Sequence, residues 1–287
     1  MTHLLALLGV FGISFSAVFV RLAAVSPVTA AFFRAAYAIP VLALVWSATR
    51  RGGGRSRRLR LLAAASGVLL AMDLAAWHVS IALVGVGLAT VIANVQVVFV
   101  AIAAWLLHGE RPTSRSVALI AGVLTGVALT SGLARPDAFG SAPVPGVLLG
   151  VLAGACYAAF LLVFRTATVG RGPAAGPLLD STMGTLVGSL LVAPFDLHFS
   201  LVPVLPAHFW LVVLAVVSQV VGWLLIATAL PRLPALETSF LLMAQPVLAL
   251  VWGVLFFAED LSAIQWSGAF LILAGVTVAT RLGVVKV

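Results

Sequence analysis

The fold of this chain is decided by GLATVIANVQVVFVAIAAWLLHGERPTS, residues 87–114, together with LETSFLLMAQPVLALVWGVLFFAEDLSA, residues 236–263. The two stretches lie 149 positions apart, and at that shift Gln96 falls on Gln245 and Glu110 falls on Glu259. The same shift also aligns Thr113 with Ser262 and Gly126 with Gly275. Chance similarity between apolar segments does not explain coincident polar residues at one shift, so they indicate an internal repeat.

The composition is that of a membrane protein. Hydrophobic residues make up 63% of the 287 residues and charged residues only 8%, and the mean hydropathy is +1.22. These values exclude an ordinary soluble enzyme and a disordered chain, and the single cysteine excludes an internal disulfide. We therefore predict an all-α polytopic membrane protein.

Ten apolar segments, separated by proline, glycine and charged residues, each have the length of a membrane-spanning helix. A bilayer core of about 30 Å requires about 20 helical residues. The predicted spans 1 to 10 are residues 3–21, 27–48, 60–83, 86–108, 114–133, 145–165, 175–195, 207–230, 234–257 and 262–281. They divide into two predicted five-helix repeats, residues 1–134 and 143–287. Because five is odd, the two copies have opposite orientations, as is typical of secondary transporters.

Basic residues are concentrated in alternate loops, which predicts the topology. One set of loops, together with the C-terminus, carries thirteen of them: Arg50, Arg51, Arg55, Arg57, Arg58, Arg60, Arg111, Arg115, Arg165, Arg171, Arg232, Arg281 and Lys286. The opposite set carries only Arg21 and Arg135. By the positive-inside rule we expect both termini in the cytoplasm. We expect the loop from Arg50 to Arg60 to contact anionic lipid headgroups, and not nucleic acid, because it has no aromatic residues to stack bases.

Short motifs in both halves resemble a known family. Spans 4 and 9 close on HGER at residues 108–111 and AED at residues 258–260, and the chain enters through GISFSAVFVRLA, residues 12–23, and SPVTAAFFRAA, residues 26–36. With two five-span halves, these motifs are similar to the drug/metabolite transporter superfamily, EamA type. The resemblance implies a bacterial inner-membrane carrier, commonly an exporter of amino acids or related small metabolites. That family pattern often has proline where Pro246 stands, whereas the first half has Val97, so a break in span 4 lacks its proline signal.

Two charged residues fall near the middle of predicted spans, where a charge costs about 2.5–3.5 kcal/mol on insertion scales. Arg34 lies in span 2 and Asp73 in span 3, at a similar predicted depth. We predict that they form a charge network within the first half. A purely structural ion pair that fixes helix packing is the alternative interpretation. Asp180 lies near the beginning of span 7, closer to the predicted cytoplasmic surface, and is expected to reach headgroups or Arg171.

Uncharged polar and aromatic residues from both halves cluster near mid-depth, where carriers bind substrate. The predicted wall of a central cavity consists of Trp77, His78, Asn94, Gln96, Tyr157, Gln219, Trp223 and Gln245. Aromatic walls with a few orienting polar groups are typical of small-molecule sites. For His78 a structural hydrogen bond is the alternative role, and for the aromatic residues it is ordinary core packing. Glu110 and Glu259 are expected to hold neighbouring arginines or loop amides.

The sequence contains no phosphate-binding loop, no HExxH or CxxC motif and no clustered carboxylates, so no ATPase activity, metal or cofactor is expected. We predict a carrier, compatible with a monomer, that moves a small zwitterionic or amphipathic metabolite by alternating access. An intramembrane enzyme that uses His78 and Asp73 as a pair is the main alternative, and it predicts product formation by the purified protein. A carrier that imports drugs or quaternary amines is a second alternative, and a channel is a third.

Overall fold

A computed structural model describes residues 1–50, 54–131, 142–168, 172–282 and 285–286. The α-helices of these residues are α1 (Thr2–Ser14), α2 (Ser16–Ala23), α3 (Pro27–Thr49), α4 (Arg57–Ala93), α5 (Gln96–His108), α6 (Ser114–Thr130), α7 (Pro143–Thr168), α8 (Ala175–Val192), α9 (Ala207–Leu214), α10 (Trp223–Ala229), α11 (Ala235–Leu242), α12 (Ala244–Phe257) and α13 (Ala263–Leu282). A π-helical segment, Ala215–Gly222, joins α9 to α10. The two-residue strands β1 (Arg111–Pro112) and β2 (Val285–Lys286) pair antiparallel.

The fold prediction of an all-helical polytopic membrane protein is confirmed. Within the described residues, nine helical segments are long and apolar enough to cross a membrane. A further apolar helix, Ser114–Thr130, has 17 residues. At 1.5 Å per residue it extends about 25 Å, a little less than the bilayer core. The count of ten spanning helices therefore stays a prediction. Arg51, Arg135 and Arg171 of the topology prediction lie outside the described residues.

Local sequence signals explain where several helices begin. Ser26 caps α3 by accepting a hydrogen bond from the Thr29 amide at 3.3 Å, and Pro27 follows at the first helical position. Proline is well suited to that position because its missing N–H would have no intrahelical partner. Thr113 and Ser116 form a reciprocal capping box at the start of α6. Span 5 therefore begins at a position fixed by local chemistry.

The helices group into two compact units that do not follow the sequence halves. Unit 1 contains Met1–Leu74 and Ala159–Leu233, and unit 2 contains Ala75–Ala158 and Pro234–Val287. Each unit therefore takes helices from both predicted repeats. The predicted boundaries 1–134 and 143–287 describe sequence similarity, whereas the units describe packing. Those boundaries stay a prediction.

Close helix contacts in each unit depend on glycine. In unit 1, a Cβ added to Gly67 of α4 would collide with the carbonyl oxygen of Ser181 in α8. In unit 2, a Cβ added to Gly126 of α6 would lie 2.9 Å from the carbonyl oxygen of Gly268 in α13. Small residues allow helix backbones to approach closely in membranes. The glycines therefore set the packing distance on which the polar contacts within each unit depend.

Candidate substrate site

Span 4, which lies in unit 2, is interrupted between α4 and α5. Asn94 donates from Nδ2 to the carbonyl oxygen of Thr90 at 2.7 Å, and the Asn94 amide donates to the same oxygen at 3.1 Å. The Val95 amide donates to the carbonyl oxygen of Ile92 at 3.0 Å, and this hydrogen bond between residues three positions apart tightens the backbone. Asparagine side chains compete with the backbone for such local hydrogen bonds. Span 4 is therefore broken at Asn94 without a proline.

Span 9, also in unit 2, is interrupted at the corresponding position. The α11 helix ends at Leu242 and α12 begins at Ala244. The Met243 amide between them donates to the carbonyl oxygens of Phe240 at 3.0 Å and of Ser239 at 3.3 Å. Pro246 is the third residue of α12, where the missing N–H falls in the first helical turn and is tolerated. Span 9 is therefore interrupted three residues before Pro246, and span 4 is interrupted at the position that the 149-residue shift relates to it.

Gln96 connects these two breaks within unit 2. It is the first residue of α5 and is buried. Its Oε1 accepts a hydrogen bond from the Ser239 hydroxyl at 3.2 Å, and its Nε2 lies 3.8 Å from the sulfur of Met243. An amide placed inside a membrane-spanning region is costly unless it is paired. Gln96 therefore holds the break of span 4 against the end of α11.

Unit 2 contains the majority of the predicted wall residues. Trp77 and His78 are half-buried and form an edge-to-face ring contact at 4.9 Å. Tyr157, Asn94 and Gln245 are also half-buried. Nearby, the Ser80 hydroxyl donates to the Gly146 carbonyl at 2.7 Å. The prediction that all eight wall residues line one cavity is not tested by these contacts and stays a prediction.

Glu110 has a structural role in unit 2. Its carboxylate is buried and accepts a hydrogen bond from the Ala235 amide, the first residue of α11, at 2.9 Å. Helix N-termini carry unpaired amides and a partial positive charge, so a carboxylate there is stabilising. Glu110 thus links the end of span 4 to the beginning of span 9. Its partner is a backbone amide, one of the two kinds of partner expected from the sequence.

In unit 1 a chain of polar side chains joins three helical segments. The Nε of Arg34 in α3 donates to Oε1 of Gln219 at 2.7 Å. The Nε2 of Gln219 donates to Thr182 in α8 at 3.1 Å, and the Thr182 hydroxyl donates to the Leu178 carbonyl at 2.8 Å. Gln219 is buried in the π-helical segment, and such segments are frequent at functional sites. These hydrogen bonds fix the orientation of the Arg34 guanidinium within a spanning helix.

Asp73 is a buried residue of α4. It lies one residue before Leu74, at which the first segment of unit 1 ends. The described contacts pair Arg34 with Gln219. The structure therefore brings Arg34 into a polar network with Gln219. The charge network of Arg34 and Asp73 stays a prediction.

Trp223, the other predicted wall residue in unit 1, lies in an aromatic cluster. Its ring meets Phe160 edge-to-face with 5.1 Å between centroids and Phe164 at 6.2 Å. Trp223 is almost fully buried. This packing agrees with the core role that the sequence left open for the aromatic residues.

Sequence reasoning missed several of the polar partners. Ser239 and Thr182 hold the predicted amides, and Tyr37 forms a 2.6 Å hydrogen bond with Nδ1 of buried His208 in unit 1. Single hydroxyl residues in an apolar helix carry no periodic signal that would identify them. The described residues contain no group of three or more His, Cys, Asp or Glu that could hold a metal ion.

Asp180 is held by arginines at the end of unit 1. Arg55 makes an ion pair with it, and Nε of Arg60 lies 3.6 Å from Oδ1 of Asp180. Burial lowers the pKa of the Arg55 guanidinium, while the adjacent Asp180 raises it. Arginine stays protonated in proteins, so the charge is retained. The expected partner Arg171 lies outside the described residues.

Membrane-spanning helices that are interrupted at positions related by the 149-residue shift are typical of membrane transporters. The model of the EamA-like transporter family matches residues 1–132 and 144–281. The chain therefore belongs to the EamA-like transporter family, as the resemblance in its sequence indicated. Membership places it in a family of membrane transporters.

Two curated relatives share part of the chain. The threonine/homoserine exporter RhtA of Escherichia coli (strain K12) is 30% identical over 141 residues, which are 48% of this chain and 44% of that protein. RhtA of Salmonella typhimurium (strain SL1344) is 32% identical over 123 residues, 42% of this chain and 40% of that protein. The chain thus spans less than half the length of these curated relatives.

A solved structure, named only "Crystal structure of protein", is similar to almost the whole chain. It matches with a TM-score of 0.81 at 21% identity. The match covers 98% of this chain and 99% of that one. At this identity the likeness supports the fold.

Proposed function

We propose that the protein is a secondary transporter that exports a small amino acid or a related metabolite across the bacterial inner membrane by alternating access. The observation that carries this proposal is the pair of corresponding breaks, at Asn94 in span 4 and at Met243 in span 9. Interrupted helices in both repeats are the best structural pointer to a transporter binding site. Two relatives named as threonine/homoserine exporters support an amino acid as the substrate class.

The half-helices α5 and α12 supply groups suited to such a substrate. Each begins inside a span and carries a glutamine in its first turn, Gln96 and Gln245. The N-terminal end of a half-helix has a partial positive charge that favours a carboxylate. Gln96 is buried against Ser239, whereas Gln245 is half-buried. Gln245 is therefore the glutamine that we assign to direct substrate contact.

Unit 1, taken by itself, contains both of the opposite charges that a zwitterion requires. Arg34 is oriented by Gln219, and Asp73 is buried within a spanning helix. A charge inside the membrane indicates a functional site. We assign Arg34 to the substrate carboxylate and Asp73 to the ammonium group.

The test is counterflow of radiolabelled threonine in proteoliposomes, with threoninol as the comparison substrate. Threoninol keeps the ammonium group and lacks the carboxylate, so Arg34→Gln is expected to lower threonine counterflow roughly tenfold and leave threoninol counterflow unchanged. Asp73→Asn is expected to lower both, because both substrates carry the ammonium group. Thr277→Val serves as the control, since it removes an exposed hydroxyl from α13.

The outcomes separate the alternatives. Equal loss of threonine and threoninol flux in Arg34→Gln would assign the arginine to packing and not to the carboxylate. Wild-type flux from a correctly folded Asp73→Asn variant would remove Asp73 from the mechanism. Conversion of either compound by the purified wild-type protein would support the enzyme alternative. Flux of quaternary amines without flux of amino acids would support the drug carrier.

We further propose that both termini face the cytoplasm. Thirteen of the sixteen basic residues lie in the C-terminus and in the loops on the same side of the membrane, and the side with more basic residues is the cytoplasmic one. Fusions of alkaline phosphatase and of green fluorescent protein to the C-terminus test this orientation. A fluorescent and phosphatase-inactive C-terminus is the expected result. An active phosphatase fusion would reverse the proposed orientation.

A further inference from the structure

Unit 1 contains a cavity of about 460 Å³ between the C-terminal end of α3, the beginning of α4 and the first half of α8. It lies at the end of the unit that carries the arginine-rich loop. Its lining residues are Trp46, Arg50, Gly54, Arg55, Arg60, Gly176, Leu179, Asp180 and Met183. The cavity involves none of the residues assigned above to the substrate.

The polar side of this cavity has an excess of positive charge. Three arginines line it, and Asp180 is the one acidic residue among its lining residues. Arg55 is occupied by Asp180 and by the carbonyl oxygens of Ala167 at 3.1 Å and Leu59 at 3.4 Å. The side chain of Arg60 is 63% exposed although it lies near Asp180. A single carboxylate therefore faces three arginines, and the lining keeps a net positive charge that Arg50 and the exposed side chain of Arg60 present.

The opposite side of the cavity is apolar. The Trp46 ring lies against Gly176, where an added Cβ would come within 2.8 Å of the ring. Met183 is 47% exposed and follows Leu179 by one helical turn on α8. Residues four apart lie on the same face of a helix. A continuous apolar strip therefore leads from the arginines along a membrane-spanning helix.

We propose that this cavity binds one anionic phospholipid, with its phosphate group between Arg50 and Arg60 and the beginning of its acyl chain along Trp46, Leu179 and Met183. Arginine is well suited to phosphate because its planar fork can donate two parallel hydrogen bonds. Basic pockets between membrane helices are suited to anionic headgroups on the cytoplasmic side. The apolar strip selects a lipid over free phosphate, which has no group to cover it. The placement in the cytoplasmic leaflet rests on the proposed orientation of the termini.

Native mass spectrometry of the detergent-solubilised full chain tests the proposal. The protein is incubated with phosphatidylglycerol, with phosphatidylcholine or with inorganic phosphate. Retention of one phosphatidylglycerol molecule in preference to phosphatidylcholine is the expected result. Neutralising both cations in Arg50→Gln/Arg60→Gln is expected to weaken that binding about thirty-fold, because two basic residues at about 1 kcal/mol each correspond to that change in affinity.

The matched control is Arg58→Gln, which removes an exposed arginine from α4, the helix that also contains Arg60. Arg58 is not among the residues that line the cavity. Its lipid retention should equal that of the wild type. If the double variant is not monodisperse, Leu179→Trp tests the same site by filling the apolar strip while every charge is kept, and it should also lose the lipid. Equal loss in Arg58→Gln, displacement of the lipid by inorganic phosphate, or retention by Leu179→Trp would each overturn the proposal.

The lipid proposal can fail independently of the transport function. Loss of lipid binding with unchanged threonine counterflow would leave the transport proposal untouched. Loss of counterflow in Arg34→Gln with full lipid retention would leave the lipid site untouched.

Discussion

Spans 4 and 9 have the same interruption and reach it by different chemistry. In span 4 the side chain of Asn94 takes the carbonyl oxygen of Thr90 at 2.7 Å. In span 9 the turn forms at Met243, with Pro246 in the first turn of the following helix. The repeat shift of 149 places Asn94 on Met243, so neither residue type is shared at the break itself. At the break itself the two spans share a backbone shape and not a residue type.

The two glutamines beside these breaks also differ in their surroundings. Gln96 and Gln245 occupy the same repeat position, but Gln96 is buried against Ser239 whereas Gln245 is half-buried. A buried amide with a partner stabilises packing, while a half-buried amide at a helix start remains accessible to a ligand. The two glutamines can therefore have different roles, helix packing for Gln96 and ligand contact for Gln245.

The largest expected difference is between Gln96→Leu and Gln245→Leu. Removing the Gln96 amide leaves the Ser239 hydroxyl without its acceptor inside the protein, so the free energy of unfolding should fall by about 1 to 2 kcal/mol. Gln245→Leu should change the free energy of unfolding by less than about 0.5 kcal/mol. It should lower threonine counterflow roughly tenfold, because the proposed substrate contact is lost.

Thermal unfolding in detergent and counterflow in proteoliposomes measure the two effects separately. Ser239→Ala in the Gln96→Leu background is the matched control, because the stranded hydroxyl is then removed. It should recover part of the lost stability. Equal destabilisation by both glutamine variants would contradict the division of tasks.

The sequence predicts the fold well because the span signal is local. Each apolar run carries its own length and charge limits, and these suffice for a polytopic helical protein. The hydrogen bond between Arg34 and Gln219 is different, because it joins residues that lie 185 positions apart. Which polar groups meet depends on helix rotation and glycine-set distances, which no local pattern records. The break at Asn94 is hard to predict for a similar reason, since it lacks the proline that would signal it.

The next largest effect is expected at the ends of these two spans. Glu110 is buried and accepts from the Ala235 amide at 2.9 Å, whereas the repeat-related Glu259 is exposed. Glu110→Gln should lower the free energy of unfolding by about 1 to 2 kcal/mol, because a buried carboxylate at the α11 N-terminus is lost. Glu259→Gln should have an effect below about 0.5 kcal/mol, since exposed charge interactions are weak.

Thermal unfolding at low and high salt distinguishes these two carboxylates. The Glu110 effect should persist in high salt, because buried charges are weakly screened, and any Glu259 effect should shrink. Glu110→Asp provides a control that keeps the charge and shortens the reach. A larger destabilisation by Glu259→Gln than by Glu110→Gln would show that burial does not decide the contribution of these carboxylates.

The smallest effect is expected from Pro246, the residue whose type signals a break. Its position in the first turn of α12 means that alanine restores an amide which has no partner within that helix. Pro246→Ala should therefore change the free energy of unfolding by no more than about 1 kcal/mol and keep most of the threonine counterflow.

Asn94→Leu should reduce counterflow more strongly, because it removes the hydrogen bond to Thr90 and favours a continuous helix. Asn94→Asp is the control, since it keeps the side-chain shape but replaces the donor with acceptor oxygens. If Pro246→Ala abolished counterflow while Asn94→Leu did not, the proline would be the cause of its break, and the two spans would be interrupted for unrelated reasons.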